Sequence, residues 1–167
     1  VLDSDVVIHF MKGDCFTLLL NIFPEYQYLI LDVVYDELAK NAQTRTFIDN
    51  IVVFMPDKLK KIQFRPTGKM MYEYAQLLRT LGRGESACMI YCYDNKDVLG
   101  SSNLKDIKEY CASHDITYLT TLDFLYYAYT RKKMTKKECD EFIQKVLSKG
   151  SKLPLVDIST YSCSVAI

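Results

Sequence analysis

Only two histidines occur in this chain of 167 residues, and none of its six cysteines forms a C-x-x-C pair. A structural zinc site needs clustered thiolate and imidazole ligands, so the sequence argues against that class. The cysteines, at positions 15, 88, 92, 111, 139 and 163, read as reduced thiols of a cytosolic protein. An excess of either charge is missing too: 21 Lys and Arg stand against 21 Asp and Glu. Bulk attraction to nucleic acid is thereby excluded, and any such affinity has to come from local patches. No run is long and apolar enough to cross a bilayer, nothing resembles a signal peptide, and neither an internal repeat nor a low-complexity tract is found. The chain opens without Met and already inside a strand-like pattern, so a few residues are expected to be missing from its start.

What is there describes a folded protein. Apolar residues make up 49% and charged residues 25%, enough to bury one core. One domain is expected over residues 1–150, with a tail, 151–167, packed on it. The 13 tyrosines are read as packing. Along the chain, "VLDSDVVIH" reads as a buried strand, "DCFTLLLNIFP" as a short helix, "YQYLIL" as a strand and "DVVYDELAKN" as a helix capped by Asp32. "TRTFIDN" reads as a short helix, "IVVFM" as a strand and "PDKLKKIQFRPTGK" as a basic loop. Helices are expected at "KMMYEYAQLLRTLG", "ESACMIYCYDN", "NLKDIKEYCASHD", "LDFLYYAYTRKK" and "TKKECDEFIQKVLSKG". "DVLGSS" and "ITYLTT" complete the strands, and the tail is a candidate terminal strand. Alternation of this kind predicts an α/β fold with a mostly parallel sheet covered on both faces.

The acids are the chemically informative residues. Asp3 and Asp5 interrupt an apolar stretch and fall on the same side of an extended segment. One such acid is explained by a cap; two with apolar flanks are harder to explain, because unpaired buried charge is expensive. Glu37 shares a helical face with Val33 and Val34, while Asp36 faces Lys40 and solvent. Either an inward carboxylate or a boundary glutamate reaching water satisfies that spacing. Glu85 opens a helix whose Cys88, Met89 and Cys92 share its face; a first-turn acid also favours the helix dipole. Converging carboxylates stay ionised together when a cation sits between them, and oxygen-only ligands suit Mg²⁺ or Mn²⁺. Such a centre is equipped to hydrolyse a phosphodiester.

The order of "VLDSDVVI", "VVYDELAK", "GRGESACMIYCY", "VLGSSNLKDIKEYC" and "ITYLTTLDFLYYAY" resembles the PIN-domain family, most of all the VapC-like ribonucleases of toxin–antitoxin pairs. The resemblance runs from Val1 to about Lys149. It implies a three-layer α/β/α sandwich with a short, mostly parallel central sheet, and endonucleolytic cleavage of RNA with Mg²⁺ or Mn²⁺. By position, Asp3, Glu37 and Glu85 match the family's catalytic acids, and Asp5 stands where a small polar residue supports the site. The family's further acid, after "VLGSS", is replaced here by Asn103. The metal ligands implied are Asp3, Glu85 and Asn103; an asparagine offers a neutral oxygen but no charge. Asn103 with Asp106 also reads as a helix cap, and Asp123, a candidate compensating acid, fits a capping box with Thr120. The implied partners are RNA, a small antitoxin protein and a second copy of the chain, in the cytoplasm and away from membranes.

Arg83, beside the expected pocket, is a candidate phosphate contact. The runs Arg131, Lys132, Lys133, Lys136, Lys137 and Lys58, Lys60, Lys61, Arg65 are either RNA contacts or solvated faces. His9 and His114 read as packing and as a helix-end residue. Two other functions stay open: a catalytically silent PIN-like module binding RNA or protein, and a haloacid-dehalogenase-type phosphatase. The second is distantly suggested by "DSD" and "GSSNLKDI", with Asp3 as nucleophile and Asp5 as acid, but it leaves Glu37 and Glu85 without a role.

Overall fold

Asp3 decides what the first stretch becomes. In a computed structural model describing residues 1–167 it is extended (φ −83°, ψ 162°), and its carboxylate accepts from Ser4 N at 2.7 Å. That is a helix N-cap. Helix α1 (Ser4–Lys12) follows and buries Val6, Val7, His9 and Phe10. The expected strand over "VLDSDVVIH" is therefore corrected: only Val1–Asp3 is sheet-like. Leu2 bridges to Gly100 in parallel, and its N–H donates to Leu29 O at 2.8 Å.

After α2 (Phe16–Ile22), β1 (Tyr28–Leu31) pairs in parallel with β2 (Leu59–Ile62), Tyr28 opposite Leu59 and Leu31 opposite Ile62. The crossover carries α3 (Asp32–Leu38) and α4 (Ala42–Phe54). Two expectations change here. "IVVFM" is not a strand, because Asn41 caps a helix that runs through it and buries Ile48. The basic segment is not all loop, since it supplies β2. Asp32 is the first residue of α3 rather than its N-cap; its Oδ1 accepts from Val33 N and Phe64 N.

Helices α5 (Gly68–Leu77) and α6 (Arg83–Asn95) lead to β3 (Leu99–Gly100), which pairs in parallel with β4 (Tyr118–Leu119) across α7 (Leu104–Ser113). The chain ends with α8 (Thr121–Thr130), α9 (Lys136–Ser148) and a tail without strand. Leu153 and Ile158 of that tail join the core, and Tyr127 Oη donates to Val165 O. The fold is thus mixed α/β and mostly helical: nine helices and two parallel pairs, with Val1–Asp3 running between the pairs. No helix is long and apolar enough to cross a membrane.

A single core of 38 buried apolar residues joins these elements. Phe10 of α1 and Phe142 of α9 lie 4.9 Å apart at its base. Gly13 ends α1 against the Phe142 ring, and a β-carbon there would overlap that ring. Because interiors yield little to added volume, Gly13→Ala is expected to destabilise by about 1–3 kcal/mol. Thermal unfolding by circular dichroism should show a melting temperature lower by roughly 2–12 °C. An unchanged melting temperature would contradict the close approach.

Candidate functional site

Parallel strands end on the same side, and the residues just past those ends gather there. Past Leu2 comes Asp3, past β3 come Ser101 and Ser102, and past β4 come Thr120 and Thr121. Asp3 is only 5% exposed. Its Oδ1 accepts from Ser4 N, and its Oδ2 accepts from Ser101 Oγ at 3.2 Å. Asp5, in the first turn of α1, accepts from Val6 N at 2.6 Å and from Ser102 N at 2.7 Å. Asp3 and Asp5 thus meet the same loop, although the segment is helical rather than extended. Glu37 of α3 accepts from Gly84 N at 3.2 Å, which ties α3 to the first turn of α6. Glu85, next in that turn, has a solvent-inaccessible Oε1 with no hydrogen-bond partner.

The electrostatics show these groups acting on one another. Burial pushes the Asp3 carboxyl up to about 7; the charges of Asp5 and Glu37 add to the rise, and the Ser4 and Ser101 hydrogen bonds oppose it. Burial likewise pushes Glu85 up to about 7, followed by the charges of Asp3, Asp106 and Asp5, with the Asn103 side chain opposing. Asp5 is raised by burial against four backbone N–H donors, those of Ser102, Val6, Asn103 and Asp5 itself. No lysine, arginine or histidine forms an ion pair with Asp3, Asp5, Glu37, Glu85 or Asp106. The protein brings negative charge together here without supplying a positive partner.

Other sequence candidates lie differently. Asn103 occupies the N-cap position of α7, but its side chain makes no cap bond; Nδ2 donates to Asp106 Oδ2 at 2.7 Å instead. The capping box expected at Thr120 and Asp123 is present. Asp123 accepts from Thr120 N, Thr120 Oγ1 and Tyr161 Oη, so its oxygens are engaged in holding α8 and the tail. Of the two readings the sequence offered for it, these contacts are those of the capping box. Arg83 is exposed at the start of α6 and makes no ion pair. In the basic runs, Arg131 is held by Glu25 and lies over Phe23, Lys136 pairs with Asp140 and Asp157, and Lys137 with Glu141. Lys61 sits over the Tyr35 ring, and Arg65 lies 3.8 Å from Asp32.

Four participants were not singled out by the sequence: Ser101, Ser102, Thr121 and Gly84. Ser102 Oγ lies 2.8 Å from Thr121 Oγ1, which in turn lies 2.9 Å from His9 Nδ1. This chain of polar contacts braces the loop that holds Asp3 and Asp5. Gly84 leaves the space that Glu37 fills, since a β-carbon there would be 2.9 Å from Glu37 Oε2. The signal available was the placement of small polar residues directly after short parallel strands. A separate cavity of about 270 Å³ lies at the amino ends of the strands, lined by Val1, Phe23, Tyr28, Val98 and Phe124 among others, and contains none of these acids.

As placed, no three His, Cys, Asp or Glu side chains form a group able to hold a metal ion. The side chains gathered there offer only oxygens, repel one another and include an orphaned carboxylate oxygen on Glu85. The ligands expected for a hard divalent cation are Asp3, Glu85 and Asn103, with Glu37 as a further acid beside them; Asn103 turns its Nδ2 to Asp106 Oδ2. No family model, curated protein or solved structure matches the chain.

Proposed function

We propose that this protein is a Mg²⁺- or Mn²⁺-dependent endoribonuclease of PIN-domain type, cleaving RNA phosphodiester bonds as the toxin of a toxin–antitoxin pair. The observation that carries the reading is the gathering of Asp3, Asp5, Glu37 and Glu85 from distant parts of the chain with no basic side chain paired to them. Under this reading the two parallel pairs and the Leu2 segment form one short central sheet of a three-layer α/β/α sandwich. A small antitoxin protein and a second copy of the chain belong to the same reading as partners.

When bound, the divalent ion polarises a phosphate and makes water a stronger nucleophile. The chain's own contribution is to fix the carboxylates. Ser4 and Ser101 hold Asp3, Ser102 holds Asp5, and the Gly84 N–H holds Glu37. Arg83, exposed one residue before Gly84, is available to a phosphate of the RNA. In the hydrolysis, water oxygen adds to phosphorus, the bridging P–O bond breaks, and the departing oxygen takes up a proton.

The test is direct. Single-stranded RNA incubated with the purified chain should be cut internally when Mn²⁺ is added and left whole in EDTA. A silent binding module, favoured by the neutral side chain at Asn103, retains RNA or protein but cuts nothing. A phosphatase of the haloacid-dehalogenase type releases phosphate from a small phosphomonoester and is indifferent to Glu85→Gln. Either of those outcomes removes the ribonuclease reading.

A further inference from the structure

Strand β4 lies at an edge: its one neighbour is β3, which Leu2 bridges from the other side. Within the pair, Leu99 N donates to Thr117 O and Ser101 N donates to Leu119 O. Thr117 and Leu119 therefore bond inward, and in a parallel ladder the residue between them turns its N–H and C=O the other way. That residue is Tyr118. Its neighbours along the edge are occupied: Ile116 N donates to Cys111 O, Thr120 N donates to Asp123, and Thr120 O accepts from Phe124 N. The tail passes this edge without a bridge to it, and the two together line a groove of about 530 Å³. Small-ligand sites fall in the range of roughly 300–1,000 Å³. Ser162, Ser164 and Ala166 alternate along the tail, are exposed and line the groove, while Cys163 packs toward the core. Tyr118, Tyr161 and Leu104 add apolar surface, and Tyr161 is fixed by the bond from its Oη to Asp123 at 2.8 Å. Asp123 is the one charged residue in the lining.

We propose that this groove receives one unpaired nucleobase of an RNA strand, with the Tyr118 main chain reading the Watson–Crick edge of the base. The proposal deepens the RNA-directed reading above and rests on it for the class of ligand. Three features select this occupant. Tyr118 offers one N–H beside one C=O, and every base carries a donor next to an acceptor on its Watson–Crick edge. A peptide strand would need such a pair at every second residue, and the flanking positions are already taken. The single charge of the lining is negative, which turns away a phosphate and suits a neutral base. Tyrosine faces are surfaces on which unstacked bases settle, and the exposed hydroxyls of Ser162 and Ser164 add hydrogen-bonding capacity. The groove also adjoins the carboxylates. Leu104 follows Asn103, and Thr120 precedes Thr121, whose N–H donates to Ser102 Oγ. A base seated there sets the register of its strand against Asp3 and Asp5, and a base paired within a duplex is shut out.

The test uses neutral ribonucleosides, which carry no phosphate to be cut and need no metal to bind. Adenosine, cytidine, guanosine and uridine are titrated in EDTA into the full ¹⁵N-labelled chain, and amide resonances are followed. At least one nucleoside should shift the amides of Tyr118, Ser162 and Ser164. Ser164→Phe fills the groove from an exposed position of the tail and should abolish those shifts. It should also weaken binding of single-stranded RNA in EDTA about 10-fold or more, read by fluorescence anisotropy. Ser162→Phe fills the groove from the adjacent exposed position and should act alike. Leu155→Phe enlarges an exposed tail residue outside the groove and should leave affinity unchanged. Melting curves confirm that each variant is folded. Amides unmoved by all four nucleosides overturn the proposal and leave an extended peptide as the occupant of the edge. Full RNA affinity in both filled variants overturns it as well. Nucleoside binding by a chain that cuts no RNA with Mn²⁺ upholds the base site and removes the ribonuclease reading. Cutting by a chain whose groove ignores nucleosides does the reverse.

Discussion

Replacing Asp3 with asparagine is expected to raise the melting temperature of the metal-free protein at pH 8 and to lower RNA cleavage by more than about 100-fold, the upper end of what losing a metal's supporting partner costs. Both effects have one cause. The folded chain holds the Asp3 carboxyl at about 7 against 3.8 in the unfolded chain, first through burial and then through the charge of Asp5. A carboxyl with a raised pKa binds its proton more tightly when folded. Its contribution to stability is fully present below about pH 4, the unfolded value, and is lost as pH rises through 7. The loss at pH 8 is on the order of 4 kcal/mol, or roughly 8–16 °C in melting temperature. Glu85, also held near 7, adds to the same trend, but the two are coupled and their effects do not sum.

Asparagine removes the buried charge while keeping the helix cap, because its oxygen can still accept from Ser4 N. Its melting temperature in EDTA should therefore be higher than that of the wild type at pH 8 and nearly equal at pH 4. Mn²⁺ should restore the wild type at pH 8 and leave the variant unmoved. Thermal melts at the two pH values, with and without the ion, read all of this. A wild type whose metal-free stability is flat between pH 4 and pH 8 would remove the basis for treating Asp3 as an electrostatic liability held for function.

The parts of the fold that were legible in the sequence are those with a long period. Helices α5 to α9 and strands β1, β3 and β4 sit close to where spacing and turn residues place them. The spacing placed Glu85 on the face of Cys88, Met89 and Cys92, which are buried, but left Glu37 open between an inward carboxylate and a boundary glutamate although Val34 beside it is buried. Short apolar runs were the failure. Val6, Val7 and Phe10 suit a buried strand or one turn of helix equally, and the N-cap at Asp3 decided between them. The β-branched "IVVF" was overridden because Asn41 starts a helix long enough to include it, leaving Val53 and Phe54 largely exposed. Strand β2 was hidden because only Leu59 is fully buried in it while two lysines face outward. At the site, carboxylates announce themselves by being out of place, whereas their partners do not. Ser101, Ser102 and Gly84 look like ordinary loop and helix-start residues until the Asp3, Asp5 and Glu37 side chains are seen against them.

Gly84→Ala separates the site from the fold most sharply. Gly84 is buried in the first turn of α6, where alanine is the better helix former by about 1 kcal/mol. The added methyl would lie 2.9 Å from Glu37 Oε2 and 3.1 Å from Oε1, closer than carbon and oxygen tolerate. No backbone blocks it; the obstacle is the end of a flexible side chain, so the core need not yield. Glu37 is therefore expected to swing away, losing its bond from the Gly84 N–H and leaving the carboxylate cluster. The variant should melt at or above the wild-type temperature in EDTA, yet bind Mn²⁺ at least about 10-fold more weakly and cleave RNA correspondingly less. Adding Glu37→Asp, which withdraws the carboxylate by one methylene, should relieve the clash and recover part of the affinity. Isothermal titration with Mn²⁺ on the single and double variants measures the coupling between the two positions. Full Mn²⁺ affinity in Gly84→Ala would place Glu37 outside the centre and leave the ion to Asp3 and Glu85.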